Sequence, residues 1–185
     1  QGSRVAYIAS AAGNMRLLRA LTGLLQRIDA RGLPTMLLKG SALLATVYDD
    51  AALRPMGDVD LLVRRDDMRV LTEILSEYDM IPAQVKMSVE QYERDHHHWI
   101  PYVARDGSLA VELHFGLVPP CKPVHPDVDD IWRAQKKAAL GDVPVLVPSP
   151  EHLLLHLAVH ACPSPLFEPP LRGLYDMAQT IAAAK

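Results

Sequence analysis

The stretch Met36-Leu37-Leu38-Lys39-Gly40-Ser41-Ala42-Leu43-Leu44-Ala45-Thr46-Val47-Tyr48, followed by Leu53-Arg54-Pro55-Met56-Gly57-Asp58-Val59-Asp60-Leu61-Leu62-Val63, decides the fold. Thr35 to Leu38 is short, apolar and bounded by Pro34 and Gly40, which predicts a buried strand. Gly40 permits a sharp turn and a close approach of ligand to backbone. Ser41 then stands where a helix from about Ser41 to Tyr48 begins. Its hydroxyl is placed either to cap that helix or to bind a phosphate oxygen, and the free N–H groups of the first turn attract anions. A capped helix with no ligand fits the same residues. The turn at Pro55-Met56-Gly57 delivers Asp58-Val59-Asp60 to a strand running to Val63. Residues two apart on a strand share a face. Asp58 and Asp60 are therefore expected to project together, with Val59, Leu61 and Val63 toward the core. Two carboxylates so close are costly to hold in a partly dry site without a cation. Magnesium, or manganese in its place, suits carboxylates plus phosphate oxygens.

The rest of the chain supplies a scaffold for this pair. Its 185 residues, 49% hydrophobic, allow one substantial core. The net charge of -3 gives no reason to expect a nucleic-acid surface. No apolar run is long enough to span a membrane. The two cysteines, Cys121 and Cys162, suit free thiols in a reducing cytoplasm rather than a disulfide framework. Gln1-Gly2-Ser3 looks like the remnant of a cleaved tag, so residues 1–13 read as scar and tail. Leucines and Ile28 at helical spacing predict a first helix from Asn14 to Arg31. Asp66-Asp67 opens another, with Leu71, Ile74, Leu75 and Tyr78 as its buried stripe. Ser88 to Asp95 reads as a short capped helix. Strands His97–Ala104 and Leu109–Phe115 flank Arg105-Asp106-Gly107-Ser108, a hairpin signal. On the second of these, Glu112 and His114 share a face, opposite Leu109, Val111, Leu113 and Phe115. If that strand neighbours the one holding Asp58 and Asp60, Glu112 becomes a third carboxylate at the site. Asp127–Arg133 reads as a short helix. A second hairpin, Lys136–Leu140 and Val143–Val147, follows. A helix opened by Ser149-Pro150 comes next. A loop with Pro163, Pro165, Pro169 and Pro170 leads to a last helix from Leu171 to Ala183. The alternation points to an α/β (α+β) domain.

Other constellations are weaker. His96 and His98 share a strand face, which would suit zinc, but a tag-like accident or a polar strand edge explains them better. His98 and His114 are also placed for contact with substrate. His152, His156 and His160 line one helix flank, where packing against the sheet explains them better than a metal. Arg54 is within reach of either a phosphate or a surface carboxylate. Arg172 and Asp176 form an i, i+4 pair of the kind that modestly supports a helix. There is no P-loop, no dinucleotide fingerprint and no serine nucleophile elbow.

Taken together, Lys39-Gly40-Ser41, Arg54-Pro55-Met56-Gly57-Asp58-Val59-Asp60, Val111-Glu112-Leu113-His114 and the Leu153–Ala161 helix resemble the nucleotidyltransferase superfamily of the DNA polymerase beta type. The closer resemblance is to its bacterial "uncharacterised nucleotidyltransferase" branch. The resemblance implies a mixed β-sheet flanked by helices with a helical C-terminal part. Residues 14–118 would be the core and 119–185 a hairpin and helices packed on it. It implies transfer of a nucleoside monophosphate from an NTP, ATP above all, to a small-molecule or peptide/protein acceptor, with release of pyrophosphate. Asp58, Asp60 and Glu112 would hold the metal and carry catalysis. Lys39, Gly40, Ser41 and Arg54 would hold the nucleotide. Lys39 before the turn, Ala42-Leu43 after it and glutamate as the third acid are departures from the common pattern. The implied setting is cytoplasmic, without nucleic acid or membrane. The alternatives are a nucleotide- or partner-binding module of the same fold without turnover, and a metal-dependent phosphohydrolase or histidine-rich zinc site.

Overall fold

Burial on successive positions, not on alternate ones, marks the centre of the sheet. All four residues of Val59–Leu62 are buried, as are both of Met36–Leu37. Such runs belong to strands covered on both faces. In the computed structural model, which describes residues 2–161 and 171–184, these segments are β2 and β1 of a seven-stranded sheet. The others are β3 (Met80–Pro82), β4 (Tyr102–Ala104), β5 (Ala110–His114), β6 (Lys136–Leu140) and β7 (Val143–Val147), in the spatial order β3-β4-β5-β2-β1-β7-β6. The sheet is mixed: β2 runs parallel to β5 and β1 parallel to β7, while the other pairs are antiparallel. The β2–β5 register sets Val59 against Val111 and Asp60 against Glu112. Two tight hairpins carry left-handed glycines, Gly107 at φ 70° and Gly141 at φ 60°, a backbone state that glycine adopts without steric cost.

Helix α1 (Gly2–Ala30) lies on one face and buries Leu17, Leu21, Leu24, Leu25 and Ile28 at helical spacing. It begins twelve residues before the predicted Asn14. The added turns carry few apolar residues at core spacing, so periodicity did not reveal them. Their anchor is polar: Tyr7 donates to Asp50 and Ser10 to the carbonyl of Ala52. Helix α3 (Met68–Glu77) packs beside α1 through Leu71, Ile74 and Leu75. A second cluster of Met36, Leu38, Leu62, Leu117, Ile131 and Trp132 covers the opposite face, where α5 (Val128–Arg133) docks. Helices α2 (Lys39–Thr46), α4 (Val89–Asp95), α6 (Pro150–Ala161) and α7 (Leu171–Ala183) complete the chain. Both predicted hairpins and the Ser88 cap, which accepts from Gln91 N–H, are present. Strand β3 was not predicted; Pro82 within it confines it to the sheet edge. The proline loop, with Cys162, lies outside the described residues; among the described residues Cys121 is an exposed free cysteine. Among the described residues no helix is long and apolar enough to cross a membrane.

Gly23 shows how tightly α1 meets α3. A Cβ there would lie 2.5 Å from the Tyr78 hydroxyl, which donates to the carbonyl of Ala20. Alanine gains about 1 kcal/mol over glycine in a helix interior, but overpacking costs about 1–3 kcal/mol. We expect Gly23→Ala to lower the urea midpoint in the native background and to raise it in Tyr78→Phe, where the clashing oxygen is gone.

Candidate active site

The cavity of interest, about 310 Å³, opens where β2, β5, α2, α6 and α7 meet; Lys39, Gly40, Arg54, Asp58, Asp60 and Glu112 line it. Parallel pairing of β2 with β5 puts Asp60 beside Glu112. His114 lies two residues further along β5 on the same face. Its Nε2 is 2.8 Å from Asp60 Oδ1 and 3.3 Å from Glu112 Oε2. Lys39 Nζ reaches the same Asp60 oxygen at 2.6 Å. Asp60 is buried and Asp58 exposed. The two aspartates line the same cavity, as expected of residues two apart, but at different depths: Asp58 precedes the strand and is exposed, while Asp60 is buried.

The electrostatics follow from this placement. Burial penalises the Asp60 carboxylate, yet His114 and Lys39 outweigh it and hold its pKa well below the usual range. The bond to His114 likewise lowers Glu112. Burial and then the charges of Asp60 and Glu112 raise Asp58, so this is the acid in most need of a cation. His114 is itself wholly buried; burial opposes its charge, but its bonds to Asp60 and Glu112 raise its pKa.

These side chains fit a divalent cation. One ligand atom each from Asp60, Glu112 and His114 falls within 4.8 Å of the others, and Asp58 borders the same cavity. His114 Nε2 is turned to both carboxylates and so orients them. His114, one of the two histidines expected near substrate, is fully buried here with Nε2 against Asp60 and Glu112. His98 is nearer the surface, 4.0 Å from Glu112 Oε2, with Nδ1 against its neighbour's carbonyl at Trp99.

The turn also differs from expectation. Lys39, not Gly40, takes the left-handed conformation, at φ 44°. Gly40 is already helical, and its lack of a side chain matters for contact: a Cβ would lie 3.1 Å from Met56 Sδ. Ser41 is not brought to the cavity. It is buried and its hydroxyl donates to the carbonyl of Leu38. Arg54 does line the cavity, but Nε donates to both oxygens of Asp176, at 3.0 and 2.9 Å. Asp176 is buried and also accepts from Tyr48. Its partner is Arg54 from a distant loop, not the helical neighbour Arg172 of the sequence reading.

Asn14 was missed as well. Its amide donates to the carbonyls of Ala51 and Arg54 at 2.6 and 2.8 Å, and its oxygen accepts from Met56 N–H at 3.0 Å. It thus fixes the loop that delivers Arg54 and Asp58. The available signal was one polar residue in line with the leucines of α1. His156 on α6 is fully buried with neither ring nitrogen hydrogen-bonded. It packs without bonding, whereas His152 meets Ser149 and Asp130.

A family profile described as "Uncharacterised nucleotidyltransferase" matches residues 3–185. The chain belongs to this family. Among solved structures, ANT(2'')-Ia in complex with adenylyl-2''-tobramycin is 14% identical, covers 91% of this chain and 89% of its own, and superposes with a TM-score of 0.65. The lincosamide antibiotic adenylyltransferase LnuA, bound to lincomycin, is 11% identical over 89% of this chain and 96% of its own, at 0.57. An antigenic nucleotidyltransferase-like protein from Paracoccidioides brasiliensis is 17% identical over 90% and 76%, at 0.57. At such identities these likenesses establish the α/β nucleotidyltransferase fold. No curated protein matches the chain significantly.

Two outcomes follow from the supporting residues. Asn14→Ala orphans two carbonyls and an N–H, so it should lower unfolding free energy by about 3 kcal/mol, read by urea titration. Burial holds the His156 pKa well below 6.5 in the fold. The unfolded chain therefore binds the proton first, and stability falls as pH drops below 6.5. His156→Leu should remove that loss, seen as a smaller stability difference between pH 7.5 and pH 5.5 than in the native protein.

Proposed function

We propose that this protein transfers a nucleoside monophosphate from an NTP, with ATP as the first candidate, to a hydroxyl of a small-molecule acceptor. The observation that carries the reading is the register of Asp60 against Glu112 with Asp58 at the rim of the same cavity. Family membership supports the reaction class. The small molecules in the two adenylyltransferase structures, adenylyl-tobramycin and lincomycin, favour a compact acceptor over a macromolecule.

In this reading Asp58, Asp60 and Glu112 hold magnesium or manganese. Bound there, the cations would polarise the phosphates and stabilise the attacking and leaving oxygens. His114 fixes the Asp60 and Glu112 carboxylates, so little reorganisation is needed when charge develops. Lys39, the helix start at Gly40 and the edge of Arg54 form the phosphate side of the cavity; Ser41, turned inward, would act only through the backbone around it. Glu112, held ionised, is placed to accept a hydrogen bond from the incoming hydroxyl. The acceptor oxygen forms a bond to the α-phosphorus as the bond to the bridging oxygen breaks, and pyrophosphate leaves. The acceptor proton passes to Glu112 or to solvent.

The test is binding of each NTP with magnesium, followed by pyrophosphate release over a panel of hydroxylated small molecules. We expect ATP binding and acceptor-dependent release, with Asp58→Ala and Asp60→Ala each at least about 100-fold down. Failure of every NTP to bind, or full activity in Asp58→Ala, would overturn the reading. Binding without release from any acceptor would favour the module that lacks turnover.

A further inference from the structure

The charge balance of the cavity rests on one lysine. Among the described residues, Lys39 is the only lysine or arginine within ion-pair distance of Asp58, Asp60 or Glu112. Its ammonium is mostly buried, with 14% of the side chain exposed. It reaches Asp60 Oδ1 at 2.6 Å, from a residue whose φ of 44° is uncommon for anything but glycine. Such conformations persist where the surroundings over-determine them, and they cluster at ligand clamps. Asp60 Oδ1 also accepts from His114, so this oxygen is covered from two sides.

A cation bound to Asp60 would meet the ammonium at close range, and like charges there repel. Lys39 has an alternative place. It lines the same cavity as Gly40, Arg54 and Gly57, and lysine is a compact charge on a flexible four-carbon stem. Arg54 is engaged by Asp176 and Pro55, so the ammonium is the more readily released positive charge on that wall.

We propose that Lys39 is a resident counter-ion that a divalent cation displaces from Asp60, and that the displaced ammonium then meets the triphosphate. The inference rests on the nucleotidyltransferase reading of the cavity. It makes cation and nucleotide binding mutually reinforcing, and that reinforcement acts equally in both directions. Metal without nucleotide binds weakly, because the ammonium has no anionic partner to move to.

The experiment measures manganese binding by electron paramagnetic resonance, without nucleotide, in the native protein, Lys39→Met, Lys39→Gln and Lys39→Arg. In parallel, calorimetry measures binding of manganese with a non-hydrolysable ATP analogue. We expect Met and Gln to bind manganese alone about 10-fold more tightly and the metal–nucleotide complex about 10-fold more weakly. Arg should keep the weak native affinity for manganese. Lys39→Gln keeps a donor to Asp60, so the test stands if Lys39→Met fails to fold. A merely supporting lysine would weaken both affinities together, and that result in folded variants overturns the exchange. Tighter manganese with unchanged nucleotide affinity overturns its second half. If no form binds manganese even with nucleotide, the metal reading of the cavity falls, and the exchange with it.

Discussion

A carboxylate sealed inside the protein governs the arrangement around it. Burying an ionised acid costs several kcal/mol unless partners surround it, and removing one partner of such a pair costs about 3–5 kcal/mol. Asp60 is 4% exposed and meets that cost with Lys39 on one side and His114 on the other. Each partner comes from a different element. Lys39 follows β1, which pairs with β2 through Met36 and Leu37. His114 closes β5, which pairs with β2 on its other edge. The ion cluster and the order of the three central strands therefore depend on each other. A slip of one residue in β5 would turn both Glu112 and His114 away, because side chains alternate along a strand.

A second buried ionic group ties the end of the chain to this centre. Asp176 on α7 receives Arg54 and Tyr48, while Asn14 on α1 clamps the loop that carries Arg54. The first and last helices thus meet the loop of Arg54 and Asp58 through polar contacts rather than through apolar packing alone. Such contacts add little net stability over an apolar equivalent, but they fix direction. What they fix here is one part of the cavity lining, which Arg54, Asp176 and Gly57 share with the acids.

Local signals in the sequence were enough to place most elements. Asp-Gly and Gly-Asp turns, the Ser88 cap and the leucine spacing of α3 each carry their own instruction. The Asp58-Val59-Asp60 run and the Glu112–His114 face could be read as acids on strands, and the sheet register then joined Glu112 to Asp60. What stayed hidden was set by distant partners. Nothing near Arg54 points to Asp176, and nothing in Lys39-Gly40-Ser41 says that the lysine takes the left-handed turn while the serine faces inward. Gly40 drew the eye as a hinge; it is needed because Met56 sits against it. The early turns of α1 lacked an apolar stripe and were passed over. Asn14 was a readable exception, a polar residue in a leucine row, that periodicity alone assigns to a boundary.

Strand β1 has only two residues, yet it lies between β2, which follows it closely, and β7, which comes near the end of the described chain. Met36 pairs with Leu62 on one side and Leu146 on the other. Joining segments so far apart costs loop-closure entropy before any contact repays it, which makes such topologies slow to form. During synthesis β1 can pair with β2, and β2 with β5, first; the other edge of β1 is filled only once β7 has been made. Until then that edge presents unpaired backbone N–H and C=O groups, the kind of edge on which another strand can dock.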